Sequence, residues 1–302
     1  MRRWVAPAVA VLLASAPVVA SPAAASTAAA STAVQAGAPD PARAVKRQLR
    51  DERGVRISET SRFFFGEKST VSGSGTRISG YLQLSPSGPV AAKFTWWSLS
   101  RPKGEGLPSG KSDPYRVVRV GKKVYDSRNT YPGPVPEGKE WIRFPNDHRG
   151  AAARDMAQDA SLQPIDVYDQ ATMKAVLKCS TSTRVSGGYL YRGTISYREL
   201  SKVSKGAFVS WTSGRPVTAE GKGKVSWRLW TDRGGLPTRL VTTDTAGTGK
   251  DPLVKRSDTR YTRWGFRLVV TAPPADEVIG EAELREYTRE QNEPIPEDSG
   301  NT

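Results

Sequence analysis

Ile78-Ser79-Gly80-Tyr81-Leu82-Gln83-Leu84 is the stretch of sequence that decides the fold class, because aliphatic residues and glycine occupy every second position. Such alternation is typical of a β-strand with one buried and one solvated face, as in antiparallel sheets. The stretch Val225-Ser226-Trp227-Arg228-Leu229 repeats the pattern in the second half of the chain. With 28 glycines and 22 prolines, the composition also favours strands and turns over helical bundles.

Further strands and helices are predicted outward from these two stretches. The strands cover residues 94–99, 115–120, 188–196, 208–212, 238–243 and 264–271. Helical spacing of apolar residues predicts a helix over 41–50, capped by Asp40 and opened by Pro41, and two more helices between 151 and 179. Tight turns are expected at Gly121-Lys122 and Gly234-Gly235. The predicted fold class is therefore α+β.

Tryptophans lie in or beside the predicted strands on both faces, since Trp227 and Trp230 differ in parity. One interpretation is cross-strand pairing beneath the stems of basic side chains. The other is a curved sheet with an apolar concave face that the central helices close. A chain of 302 residues with 37% hydrophobic residues is long enough to build such a core.

The N-terminus predicts a secretory signal peptide over residues 1–25. Met1-Arg2-Arg3-Trp4 is basic, an uncharged run rich in alanine, valine and leucine follows, and small residues offer cleavage after Ala20 or Ala25. Residues 26–40 are rich in Ala, Ser, Thr and Pro and predict a flexible leader. Because no cysteine follows the apolar run, we expect a secreted or cell-wall-associated protein without a lipid anchor.

Charge is unevenly divided along the chain. The formal net charge is +15, although nine acidic residues face two arginines from Asp276 onward. Residues 279–302 are therefore predicted to form an acidic, disordered tail after a folded domain over 41–278. Lysine and arginine occur singly on the predicted wet faces, which indicates a solvated surface suited to an anionic cell wall or membrane surface. Nucleic acid is not an expected partner, because no basic cluster with aromatic platforms is present.

Catalytic chemistry has little support in the sequence. His148, the single histidine, stands in a loop, and a serine hydrolase would also need a Gly-x-Ser-x-Gly elbow, which the chain lacks. Cys179, the single cysteine, is expected to be a small buried hydrophobe on its helix. The loop Gly133–Lys139 has P-loop spacing, but Glu140 replaces the required Ser or Thr. Spacing alone leaves a carboxylate pair for glycoside hydrolysis open, but we predict no enzyme, no metal site and no cofactor.

Several turn and packing motifs resemble the LolA-like half-barrel family, and in particular the actinobacterial LppX/LprG-type exported proteins. The motifs are Val124-Tyr125-Asp126 followed by Lys139-Glu140-Trp141, Tyr191-Arg192-Gly193-Thr194-Ile195, the hairpin Trp230–Arg239, and Tyr261-Thr262-Arg263-Trp264-Gly265. The resemblance covers residues 42–278 and implies a mostly antiparallel sheet, curved into a half-barrel, with helices covering its concave face. Many relatives carry a lipobox cysteine, which is absent from this sequence.

The resemblance also implies a carrier or binder of lipid or another amphipathic molecule. One parity of each strand would then line an apolar cavity together with the covering helix. The predicted cavity residues are Ile78, Leu82, Phe94, Trp96, Val118, Met173, Leu177, Trp227 and Leu229, while Arg228 and Arg267 are predicted to point outward. The alternative function is a secreted interaction module whose basic surface binds anionic cell-wall polymer or an envelope-stress regulator, because this fold is also used in envelope-stress sensing.

Overall fold

The computed structural model describes residues 37–66, 74–99, 113–145, 156, 160–204, 208, 210, 217–218, 221–247 and 252–292. The chain divides into two compact units, Met1–Gly37 and Ala38–Thr302, and the secondary structure described here belongs to the second. The predicted signal peptide, most of the predicted leader, and His148 lie outside the described residues.

The β-strands follow one another in two antiparallel meanders. The first meander comprises β1 (Arg53–Phe65), β2 (Gly75–Ser85), β3 (Gly88–Leu99), β4 (Tyr115–Val120), β5 (Lys123–Ser127) and β6 (Trp141–Pro145). The second comprises β7 (Thr181–Val185), β8 (Gly188–Ser196), β9 (Gly223–Asp232), β10 (Pro237–Ala246) and β11 (Leu253–Arg267). A short strand, β12 (Val278–Gly280), follows near the C-terminus.

One 12-stranded sheet contains both meanders, in the order β12-β6-β5-β4-β3-β2-β1-β11-β10-β9-β8-β7. The meanders join where β1 pairs with β11, from Arg53 opposite Arg267 to Phe65 opposite Leu253. The pairing of β12 with β6 is parallel, and the other strand pairs are antiparallel. Within the described residues β12 and β7 form the two edges, so the curved sheet stays open.

The helices are short: α1 (Pro41–Gln48), α2 (Gln170–Lys178), α3 (Tyr197–Val203) and α4 (Glu281–Asn292). Asp40 caps α1 by accepting a hydrogen bond from the Ala42 amide at 2.9 Å, and Pro41 opens its first turn, as the sequence predicts. Asp169 caps α2 in the same way, which is why this helix begins later than apolar spacing alone suggests. None of the helices in the described ranges has the length and apolar character needed to span a bilayer.

A large apolar cluster covers one face of the sheet, on which α1, α2 and α3 pack; we call it the inner face. Members from the two meanders include Ile57 and Leu82 on one side and Val225 and Leu229 on the other. Burying a large aliphatic side chain of this kind contributes about 1.5–3 kcal/mol, so this cluster is a principal source of stability. The α+β half-barrel predicted from the sequence, with a mostly antiparallel curved sheet and helices over its concave face, is confirmed.

The C-terminal region differs from the predicted disordered tail over 279–302. Residues up to Asn292 form β12 and α4, and residues 293–302 lie outside the described part. Ile279 and Leu284 are buried against Ile142 of β6 in a small separate cluster. The acidic composition of this region predicted disorder, but the two buried side chains of Ile279 and Leu284 are enough to dock the 12-residue helix α4 against the sheet edge.

Two further sequence predictions are corrected by the structure. Of the predicted strand 264–271, only residues 264–267 belong to a β-strand. They form the end of β11, which runs from Leu253 to Arg267. Cys179 is exposed instead of buried. The reason is that α2 ends at Lys178, so the backbone of Cys179 has already left the helix and no longer directs its side chain to the helix's apolar face.

Candidate functional site

The inner face brings most of the predicted cavity residues together. Within its buried cluster lie Ile78, Leu82, Phe94, Met173, Trp227 and Leu229, and the partly buried Trp96 and Leu177 pack against it. Arg228 is exposed on the opposite face of β9, whereas Arg267 is exposed at the end of β11, opposite Arg53. These apolar residues therefore share one face of the sheet, and that they line a ligand cavity stays a prediction.

Val118 is the exception, because its side chain lies on the opposite, outer face. Val117, not Val118, is the β4 residue opposite Phe94, and Val118 is opposite Lys93. Val118 packs with Trp141 and Val270 in a second cluster, where the segment after β11 covers the outer face. Both faces of β4 are thus buried at this point, and two adjacent valines give no alternation from which to choose the inward one.

Residues 160–168, which lead into α2, cover the inner face and are held to it by polar contacts; we call them the covering segment. Gln163 makes several of these contacts. Its Nε2 donates to the carbonyl oxygen of Leu240 at 3.1 Å and to Thr259 Oγ1 at 2.8 Å. Its Oε1 accepts from Thr242 Oγ1 at 2.7 Å. One side chain therefore ties the covering segment to both β10 and β11.

Glu59 of β1 is the second anchor of the covering segment and is 1% exposed. Its carboxylate accepts hydrogen bonds from the Leu162 amide at 2.8 Å, from Ser161 Oγ, from Ser61 Oγ at 2.9 Å and from Thr259 Oγ1 at 2.9 Å. Hydrogen bonds to a charged acceptor are stronger than hydrogen bonds between neutral groups. Without the Glu59 carboxylate these donors would lose an acceptor inside the structure, which costs free energy. The segment is thus latched to the centre of the sheet.

Lys255 and Asp244 extend this latch beside Glu59. Lys255 Nζ donates to the carbonyl oxygen of Leu162 at 2.7 Å and lies 3.6 Å from Asp244 Oδ2. The other carboxylate oxygen of Asp244 accepts from the Tyr197 hydroxyl of α3. The charged side chains are 4% and 0% exposed, so the pair is fully desolvated. Together with Glu59 and Gln163 these groups form the polar latch.

The space left beside the latch is small. A pocket of about 20 Å³ lies between the covering segment and strands β1, β2 and β11, and is lined by Ile57, Leu82, Ile165, Val167, Tyr168 and Tyr261 with the polar Ser161, Gln163, Asp166 and Thr259. That volume suits about one water molecule. An acyl chain could enter this part of the inner face only if the covering segment moved away.

Several buried donors around the inner face have no hydrogen-bond acceptor among the described residues. They are the indole Nε1 atoms of Trp96 and Trp227, the hydroxyl of Tyr168 and the Nε2 of Gln170. An unsatisfied buried donor costs about 1–3 kcal/mol, and native structures contain few of them. With the covering segment on the sheet, these donors therefore remain available for hydrogen bonding beside the apolar cluster of the inner face.

Tyr168 of the covering segment and Tyr261 of β11 meet edge to face, with ring centroids 6.5 Å apart. Burial raises the pKa of each phenol well above its usual 10.0, and the nearby Glu59 and Asp166 act in the same direction. Burial also raises the pKa of Tyr191 to about 12, with smaller contributions from Tyr189 and Asp40.

We expect the protein to lose stability as the pH rises above 10. In this range the unfolded chain releases phenolic protons that the folded chain retains, so the stability that is fully present below pH 10 falls as the pH approaches the raised values. Circular dichroism and tyrosinate absorbance in parallel titrations check this. Ionisation of all ten tyrosines near pH 10 with an unchanged folded spectrum would contradict it.

The described residues hold no group of three or more His, Cys, Asp or Glu side chains placed to bind a metal ion. The polar latch was not predicted from the sequence. The sequence contains only a weak indication of the polar latch. Its inward polar residues alternate with outward residues, as apolar residues do in the other strands: Glu59 and Ser61 on β1, and Ser257 and Thr259 on β11. A polar inner face gives no hydrophobic periodicity.

The fold and its interior define a class of protein: an open α+β half-barrel whose apolar inner face is covered by a latched segment. No protein-family model matches the chain, and no curated protein matches it. Among solved structures it is similar to a chain of the Pseudomonas aeruginosa MucA/MucB complex, at 15% identity and a TM-score of 0.27, covering 81% of this chain and 62% of that one.

A beta-barrel-like protein with a domain of unknown function from Brucella abortus is also similar, at 9% identity and a TM-score of 0.18, covering 71% of this chain and 99% of that one. The chain spans only 62% of the length of the MucA/MucB chain that it matches. Both TM-scores are too low for these likenesses to support an argument. Membership of the LolA-like family therefore stays a prediction.

Proposed function

We propose that this chain is an exported, non-catalytic binding protein that takes up an amphipathic ligand with an acyl chain between the inner face and the covering segment. The observation that carries the proposal is the set of buried donors that lack an acceptor among the described residues, placed around the apolar cluster of the inner face. The oxygen atoms of an ester or carboxylate head group would accept from such donors, while the acyl chain would replace apolar contacts. Export rests on the signal sequence predicted over residues 1–25.

Uptake requires the covering segment to leave the sheet, and the polar latch determines what that costs. Most of its contacts fall on Ser161, Leu162 and Gln163, so they can be released together. An acyl chain gains about 0.8 kcal/mol for each buried CH₂ group, so a long chain can offset the loss of several hydrogen bonds. A short chain cannot, and we expect affinity to rise steeply with chain length.

Binding is tested with a fluorescent fatty acid of about 16 carbons, the length over which the gain per CH₂ exceeds the latch contacts. The wild-type chain should bind it, and Leu229→Asp, which places a carboxylate in the buried cluster, should abolish binding. The matched control is Val269→Asp, because Val269 is an aliphatic residue with 55% exposure. Circular dichroism establishes that each variant is folded.

A gentler variant keeps the test decisive if Leu229→Asp does not fold. Trp227→Phe preserves the buried ring but removes the indole donor, and should weaken binding by roughly fivefold, the value of one hydrogen bond. Trp97→Phe is its control, because Trp97 is opposite Arg77 on the outer face. Unchanged affinity in Trp227→Phe, or no binding of the probe by the wild-type chain, would refute the proposal.

A further inference from the structure

The face of the sheet opposite α1, α2 and α3, the outer face, is rich in arginine across its central strands. The register places outward residues of β2, β1, β11, β10, β9 and β8 side by side. The arginines on this face are Arg56, Arg62, Arg77, Arg192, Arg228, Arg239, Arg256 and Arg260. Residues that are scattered singly along the sequence are therefore neighbours in the sheet.

Arginines stand directly opposite one another in this register. Arg192 on β8 pairs with Arg228 on β9, and Arg239 on β10 pairs with Arg260 on β11. Like charges in directly opposite positions destabilise a sheet unless a further group neutralises them. An anionic partner that lies across the strands would turn the repulsion into binding energy.

Acidic residues that could neutralise these arginines are few. In the described residues of these six strands, the outward acidic positions are Asp258 and, at the end of β9, Asp232, whose Oδ1 accepts from the Gly234 and Leu236 amides of the turn. Asp258 is already bound by Arg239, whose Nε and Nη2 donate to its two carboxylate oxygens at 2.8 and 2.6 Å. This hydrogen bonding also raises the pKa of Arg239 above its usual value. Asp258 therefore serves one arginine and leaves the Arg192–Arg228 pair to other anions.

A groove of about 420 Å³ lies at the Arg192–Arg228 pair. Its side chains combine guanidinium groups with hydroxyls, and its lining includes Cys179, Thr181, Arg192, Thr194, Ser226, Arg228, Val241 and Thr243. Thr194 Oγ1 and Ser226 Oγ are 3.2 Å apart, and Arg192 Nε donates to Thr181 Oγ1 at 3.3 Å. Guanidinium forks with neighbouring hydroxyls are the groups that bind phosphate and carboxylate oxygens. Among the described residues, those that line the groove include no carboxylate that would oppose an anion.

We propose that the outer face binds a linear anionic polymer carrying repeated phosphate or carboxylate groups, with the Arg192–Arg228 groove holding one unit and the remaining arginines holding neighbouring units. Neighbouring strands lie about 4.8 Å apart, so the arginines offer contacts at a regular short spacing to a chain that crosses the strands. A flexible polymer can enter the groove, whereas the flat surface of a bilayer would contact only its rim. The proposal is independent of the interior ligand.

Binding is measured with long-chain inorganic polyphosphate and with poly-L-glutamate as separate probes for the two anionic groups. Arg192→Glu with Arg228→Glu should weaken binding of the preferred probe by at least about 30-fold, because charge-assisted contacts are lost and repulsion is added. The matched control, Lys122→Glu with Lys123→Glu at the exposed β4–β5 turn, changes net charge equally and should stay within about threefold. An equal loss in both variants would show a net-charge effect alone and overturn the proposal.

Cys179 provides a local reading of groove occupancy, because it is the single cysteine, is exposed and lines the groove. Polymer should slow alkylation of Cys179 by iodoacetamide in the wild-type chain but not in the double arginine variant. Binding without protection of Cys179 would place the polymer elsewhere and overturn the proposal. So would stronger binding to phosphatidylglycerol vesicles or to duplex DNA than to either polymer, which would identify a different class of partner.

Discussion

Replacement of Lys255 by methionine is expected to lower the free energy of unfolding by about 3–5 kcal/mol, the range for breaking a buried ion pair. The ammonium group is the counter-charge of Asp244, whose side chain is 0% exposed. Methionine fills similar space but leaves that carboxylate buried without its cation. It also removes the donor to the carbonyl oxygen of Leu162, so the covering segment loses a contact.

Thermal and urea unfolding measure this effect, and a domain of this size should lose roughly 2–4 °C of Tm for each kcal/mol. Lys222→Met is the control, because Lys222 is exposed and its replacement should stay within about 0.5 kcal/mol. Adding Asp244→Leu to Lys255→Met should restore part of the loss, since the double variant no longer buries a carboxylate that has lost its counter-charge. Additive losses in the double variant would contradict the coupling inferred from the structure.

Replacement of Glu59 by leucine should destabilise the protein by a similar amount, about 3 kcal/mol or more, since its several donors would each lose a charged acceptor. The donors come from β1, β11 and the covering segment, so the loss is shared between the sheet and its cover. Glu137→Leu, at an exposed turn position, is the matched control. Urea unfolding gives the free-energy change for both variants.

The substitution Glu59→Gln distinguishes the role of Glu59 in holding the covering segment from its role in the stability of the whole fold. Glutamine keeps the shape of the side chain, but one of its terminal atoms is a donor and meets donors on the segment. We expect a smaller loss of global stability together with faster hydrogen exchange at the Leu162 and Gln163 amides, because local opening becomes easier. Equal exchange at these amides in the variant and the wild-type chain would show that Glu59 does not hold the segment closed.

Sequence reasoning worked where local chemistry alone decides structure. Apolar alternation located β2 and β9, and the Asp40-Pro41 pair marked the start of α1, because each signal depends on near neighbours in the chain. It failed at β11, whose inward Lys255, Ser257 and Thr259 meet polar partners and not an apolar layer. The partner that makes Thr259 suitable for burial lies 200 residues earlier, at Glu59.

The candidate site was likewise predictable only where local sequence patterns determine it. The alternation of apolar and polar residues identified the inward residues of β2 and β9. It could not identify the inward residue of β4, because both faces of that strand are buried at Val118. The latch and the arginine face depend on register between strands that are distant in sequence. Arg62 and Arg256, for example, are opposite one another only because β1 pairs with β11. Hydrophobic periodicity contains no information about that pairing.

The pairing of β1 with β11 also has a consequence for how the chain reaches its native state. Each meander contains mainly hairpin contacts, which close quickly, whereas the β1–β11 seam brings together segments about two hundred residues apart and must wait for a large loop to close. We expect the two meanders to gain structure first and to meet late, so that substitutions along the seam chiefly accelerate unfolding and hardly slow folding. Until the seam closes, β1 and β11 each present an unpaired edge, and this interval is when the chain is most exposed to aggregation.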